Sequence, residues 1–169
     1  VTYTNEANEF SIDYPQGWDI VTDVVGIHGA CNIWEHKLAT EKVGVQVARY
    51  SEASAHDHFS TSQLNEAVGS AESFSALLIK TLTDDYQDYA PVSTEELTVN
   101  GVPAIKHTFT GSVNIRLAFG VPDTVSYKWV QVYLVQDEVG WLLHFSSPEE
   151  EFDSHEATFD IMLNSFRLL

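Results

Sequence analysis

Histidine is densest at His56-Asp57-His58. Imidazole nitrogens suit zinc, copper or nickel. On a strand, residues two apart share a face and could chelate one ion. At a helix start the same pair splays apart, and two ligands supply at most half of a tetrahedral site. His28, His36, His107, His144 and His155 are scattered along the chain, so any of them could complete the site only through the fold. The competing arrangement is a helix start capped by Asp57 or a neighbouring serine, with both imidazoles in water. His56 and His58 are the candidate metal ligands, and no other cofactor is implied.

Asp84-Asp85-Tyr86-Gln87-Asp88 spells D-D-x-x-D, which holds magnesium–diphosphate where carboxylates line a large all-helical cavity. This chain is too short and too rich in strand patterns for that setting. A solvated acidic helix end followed by a turn is expected instead, although hard cations do take several oxygen ligands. Nucleophilic chemistry has no support. There is no Gly-x-Ser-x-Gly elbow, and Cys31 sits among apolar residues, as a buried inert thiol does. Gly26-Ile27-His28-Gly29 is not followed by the Gly-Lys-Ser/Thr of a phosphate loop. The expectation is a protein that is not an enzyme.

The elements that must position such residues change period along the chain. Phe10, Ile12 and Tyr14 alternate with Ser11 and Asp13, as in a half-buried strand. Pro15-Gln16-Gly17 is a turn. Trp18, Ile20 and Val24-Val25 resume the extended pattern, and Val43, Val45 and Val47 continue it. From about Asp57 to Asp85 the period is helical, with Leu64, Ala67 and Val68 on one stripe and Phe74, Leu77, Leu78 and Leu82 on the next. Gly69 divides the two.

Strands return after Pro91. Asn100-Gly101 marks a hairpin, and Ile105, His107 and Phe109 alternate beyond it. Trp129–Val135 and Trp141–Phe145 are further strands around the turn at Glu138-Val139-Gly140. Glu149-Glu150-Glu151 opens a helical turn after Pro148. Asp153-Ser154-His155-Glu156 reads as a capping box for a last helix with Phe159, Met162 and Leu163 inward. Trp34, Tyr127, Trp129, Tyr133 and Trp141 fall at alternating strand positions and are expected in the core. Grouped strands and grouped helices predict an α+β domain with a central antiparallel sheet flanked by helices.

Lys and Arg number 8 against 25 Asp and Glu, a formal net charge of −17. Phosphate neutralisation needs clustered Lys and Arg, so nucleic acid is not the partner. Anionic membrane surfaces are disfavoured for the same reason. At 169 residues the chain fits a single domain, 1–169. A chain of that length buries about 70% of its unfolded surface and needs no disulfide or metal staple. It opens at Val1 rather than Met, which suggests that a signal peptide or lipid anchor preceded it. Any membrane association would then run through that removed anchor.

Several stretches together resemble a known family. Phe10-Ser11-Ile12-Asp13-Tyr14-Pro15-Gln16-Gly17-Trp18 resembles the F-x-I-x-Y-P-x-G-W opening of PsbP-like proteins. Asn100-Gly101-Val102-Pro103-Ala104 resembles their N-G-x-P-A hairpin. Trp141-Leu142-Leu143-His144-Phe145-Ser146-Ser147-Pro148, then Phe152, Phe159 and Ser165-Phe166, resemble their C-terminal part. The matches span nearly the whole chain in order. The family includes the extrinsic PsbP subunit of photosystem II, a yeast Ran-binding protein and many prokaryotic lipoproteins. The resemblance implies an α-β-α sandwich, no shared catalytic residues, and binding to other proteins. With the acidic balance, it implies an extracytoplasmic docking module for a protein with a basic surface. A metal-ion or small-ligand binder is the alternative.

Overall fold

The computed structural model describes residues 1–22, 31–35, 43–51, 59–116 and 122–169. His28, His36, His56 and His58 lie outside the described residues, as do Val24-Val25, Gly26–Gly29 and Asp57. The N-terminal strands are β1 (Thr2–Asn5), β2 (Phe10–Asp13), β3 (Trp18–Thr22), β4 (Cys31–Glu35) and β5 (Gly44–Tyr50). Three helices follow: α1 (Thr61–Ala67), α2 (Ala71–Ile79) and α3 (Leu82–Asp85). Four long strands come next, β6 (Gln87–Val99), β7 (Val102–Arg116), β8 (Pro122–Gln136) and β9 (Val139–Pro148). The 3-10 turn Glu149–Glu151, helix α4 (Phe152–Ser165) and strand β10 (Arg167–Leu168) close the chain.

Seven strands form one antiparallel sheet in the order β3-β4-β5-β9-β8-β7-β6. β2 does not join it. It pairs with β1 and with the chain-terminal β10 in a separate three-stranded sheet. The alternation in β2 has the period expected from the sequence, but its buried side chains Phe10 and Ile12 come from this second sheet. Together with α4 they cover one face of the large sheet, packing on Val45, Val47, Val132, Leu134, Leu143 and Phe145. Phe159, Met162 and Leu163 are buried as their spacing predicts. On the other face, Leu64, Val68, Ala71, Phe74 and Leu78 of the α1–α2 segment pack on Ala48, Ile105, Tyr133 and Leu142. The α+β domain expected from the element order forms, and it is the helix-flanked sandwich that the family resemblance implies.

Local chemistry explains most of the boundaries. The first helical stripe is cut between Ala67 and Ala71, around Gly69. Ser60 caps α1: the Gln63 N–H donates to Ser60 Oγ at 3.3 Å, and the Ser60 N–H donates to Gln63 Oε1 at 3.0 Å. Ser70 caps α2 by accepting from the Ser73 N–H at 3.1 Å. Asn100 and Gly101 take φ of 50° and 89°, the left-handed turn their types allow between β6 and β7.

Two boundaries differ from expectation. β6 starts at Gln87, upstream of Pro91, because Pro91 lies on the sheet's edge between register shifts where a missing N–H costs no ladder bond. The last helix does not begin at Asp153. The 3-10 turn after Pro148 already carries the chain into helical geometry, so α4 starts at the buried Phe152 without a side-chain cap. Ser154 Oγ instead donates to the Glu151 carbonyl at 2.6 Å.

Candidate functional site

The acidic cluster is dispersed by the fold. Asp84 and Asp85 end α3 and Asp88 sits at the start of β6, all exposed. Among the described residues no three His, Cys, Asp or Glu side chains gather as metal ligands. Cys31 is fully buried, and desolvation pushes its thiol up to about 12, so it is not a nucleophile at neutral pH. His155 lies on α4, with Nε2 3.8 Å from Glu151 and 3.9 Å from Glu35. It is therefore on the opposite side of the sheet from His107 and His144.

The latter two belong to a polar row that crosses the large sheet. Strand register pairs Thr94 with His107, His107 with Gln131, Gln131 with His144, His144 with Gln46, and Gln46 with Asn32. Residues directly opposite on antiparallel strands point to the same face, so these six side chains form one line over β6, β7, β8, β9, β5 and β4. His107 and Gln131 are buried. Buried polar groups need partners, and both have them. His107 Nδ1 lies 2.7 Å from Thr94 Oγ1, and its Nε2 lies 2.8 Å from the Tyr89 hydroxyl. The Tyr133 hydroxyl donates to Gln131 Oε1, and Gln131 Nε2 lies 2.8 Å from His144 Nδ1.

An amide NH2 can only donate, so His144 Nδ1 accepts and its proton sits on Nε2. Desolvation lowers the His144 pKa to about 4, which keeps the ring neutral. Desolvation likewise lowers His107, opposed by a backbone hydrogen bond at Ser93. Burial raises the neighbouring phenols: Tyr50 to about 12 and Tyr86 and Tyr133 further, with the Asp85 carboxylate adding to the first two. Tyr86 stacks on His144 at 6.4 Å between ring centroids.

A second row runs beside the first. Trp34 pairs with Gly44, Gly44 with Ser146, Ser146 with Trp129, and Trp129 with Phe109. Two small residues thus lie between two tryptophans. The close approach of β4 and β5 requires the glycine, since a Cβ at position 44 would sit 2.5 Å from the Ile33 carbonyl oxygen. The result is a depression of about 210 Å³ lined by Asn32, Trp34, Gly44, Val45, Gln46, His144 and Ser146.

Chemically the row can bind but is poorly suited to moving protons. Proton-transfer catalysis works best with a group titrating near the operating pH. Here the enclosed histidines titrate lower and the enclosed tyrosines higher. Tyr127, Trp129, Tyr133 and Trp141 are core residues as expected, while Trp34 is half-buried at the depression.

By position alone His107 and His144 are scattered along the chain. The signal was a polar residue at an inward strand position: His107 between Ile105 and Phe109, Gln131 between Trp129 and Tyr133, His144 between Leu142 and Ser146. Each alone is ordinary. Only the register aligns them.

A helix-flanked antiparallel sheet, with a small second sheet closing one face, places the chain in the PsbP-like fold class. The sequence profile of the PsbP family matches residues 1–168, and the chain belongs to that family. Its fold is similar to the solution structure of cyanobacterial PsbP (CyanoP) from Synechocystis sp. PCC 6803, at TM-score 0.67 and 15% identity, covering 100% of this chain and 92% of that one. The Ran-binding protein Mog1p of Saccharomyces cerevisiae is similar at TM-score 0.55 and 11% identity, over 99% of this chain and 94% of that one. LpqN of Mycobacterium tuberculosis, described as involved in cell envelope biogenesis, is similar at TM-score 0.51 and 11% identity, over 94% of this chain and 82% of that one. No curated protein matches the chain by sequence.

Proposed function

We propose that this chain is a non-catalytic docking domain that works outside the cytoplasm and binds the basic surface of a protein partner, without a metal or organic cofactor. The observation that carries the reading is the outward face of α4. Asp153, Glu156 and Asp160 are exposed at helical spacing, continuing from the exposed Glu149 and Glu150. None of these five has an ion-pair partner among the described residues. Like charges three and four apart on a helix repel, so the stripe is stabilised when a cationic surface meets it. The charge imbalance would speed encounter and set partner polarity. Family membership adds support, since a structural relative is described as Ran-binding and another as part of cell envelope biogenesis.

The test is capture from a native extract at low and high salt, followed by binding of the purified partner. The expected partner is retained at low salt, released at high salt, and lost to the variant Glu149→Gln, Glu150→Gln, Asp153→Asn, Glu156→Gln, Asp160→Asn. A partner bound equally by that variant, or indifferent to salt, would overturn the reading.

A further inference from the structure

We infer that the depression beside Trp34 is a binding subsite for an uncharged, hydroxyl-bearing sugar ring. It lies on the face of the sheet away from α4, so it is independent of the docking reading.

Four observations point to this ligand class. First, among the described residues the lining contains no charged side chain: its polar groups are Asn32, Gln46, His144 and Ser146. A charged ligand would be desolvated there without a counter-ion, and an anion would also meet the field of a chain with net charge −17. Second, His144 is already oriented. Tyr133 holds Gln131, Gln131 donates to Nδ1, and Nε2–H has no hydrogen-bond partner among the described residues. Supporting contacts that fix a ring before the ligand arrives reduce the ordering cost of binding.

Third, the side chains of Asn32, Gln46 and Ser146 are also without hydrogen-bond partners among the described residues, although all three are half-buried. Their amides and hydroxyl offer donors and acceptors side by side. A sugar hydroxyl is both at once, and several on one ring can use such a mixed set. Fourth, Trp34 is half-buried and lines the depression, and the small residues Gly44 and Ser146 follow it on that row, whereas Trp129 beyond them is buried and outside the lining. An indole beside polar groups favours a ring with apolar C–H faces and a polar rim. The volume, about 210 Å³, lies below the range of drug-sized pockets and suits one ring.

The experiment is a titration of the full chain followed by amide NMR and tryptophan fluorescence. The probes are glucose, galactose and mannose, a neutral trisaccharide of glucose, and glucuronate. Expected are saturable shifts at Asn32, Gln46, His144 and Ser146 with at least one neutral hexose, and markedly weaker binding of glucuronate. Tighter binding of the trisaccharide would identify a glycan as the source, and equal binding the free sugar. Gln46→Ala should weaken binding by about tenfold, the loss of one hydrogen bond to an uncharged ligand. Ser146→Phe, which fills the depression, should abolish it. Both positions are half-buried on the sheet surface, and an unchanged amide spectrum elsewhere verifies the fold of each variant. No saturable shift with any neutral sugar would overturn the proposal. So would equal binding of glucuronate, or binding that survives Ser146→Phe.

Discussion

On the α4 side of the large sheet, Phe10, Phe145, Phe159 and Phe166 interlock with aliphatic strand residues, and most of the layer is dry hydrocarbon. On the opposite side, a line of polar side chains crosses six strands among aromatic rings, and its members on β6 to β9 are held by side-chain hydrogen bonds. The first face is stabilised by area removed from water. The second gives up part of that gain and holds its polar groups in fixed positions. The two faces thus differ in what holds them: buried area on one, partnered polar groups set among apolar clusters on the other.

The comparison breaks most visibly on the apolar side. Phe10 is fully buried and meets Tyr3, Trp141 and Phe166 edge-on or tilted at 5.8–6.0 Å. Phe10→Ala should cost about 3–5 kcal/mol, read by urea denaturation. On the polar side, Gln131→Leu strands the Tyr133 hydroxyl and His144 Nδ1. It should cost about 1–3 kcal/mol per orphaned group. Adding Tyr133→Phe should recover part of that loss, whereas two independent packing defects would add.

Acid should separate the faces further. The His144 pKa is about 4 in the folded protein against the ordinary 6.5. Above 6.5 neither state is protonated there and no pH dependence arises from this group. As pH falls from 6.5 toward 4 the unfolded chain takes the proton first, so the stability contributed by the neutral ring is lost, on the order of 3 kcal/mol. His144→Gln should flatten the stability–pH curve across that window relative to the parent. An unchanged slope would show that the ring is not desolvated.

Smaller effects sharpen the contrast. Zinc or calcium should leave the melting temperature unchanged, since a ligand bound only by the native state must raise it. A zinc-dependent rise abolished by His56→Ala or His58→Ala would assign the metal site that those residues suggest. On the outer surface of α4, Asp160→Asn removes one like-charge pair with Glu156 and should raise stability by ~0.2–0.5 kcal/mol at low salt while weakening partner binding.

Much was legible in the sequence wherever a local rule decides the outcome. The Asn100-Gly101 turn needs two left-handed residues in succession, and those types supply it. The break at Gly69 and the inward stripe of Phe159, Met162 and Leu163 follow from helical spacing alone. Where neighbours decide, local reading misplaced the boundary. Asp153 has the chemistry of a cap, but the turn after Pro148 had already set the helix. Pro91 looks like a strand boundary, yet an edge position with register shifts accommodates it within a strand.

By itself the sequence determined the α+β class, the helical and extended segments, the inert burial of Cys31 and the acidic charge balance. These depend on composition and on contacts within a few residues. Only the tertiary structure decided that β2 leaves the large sheet to pair with β10, since that pairing joins residues at opposite ends of the chain. Only strand register decided that Thr94, His107, Gln131, His144, Gln46 and Asn32 share one line. A one-residue slip in any of those pairings would turn its side chain to the opposite face and dissolve the row.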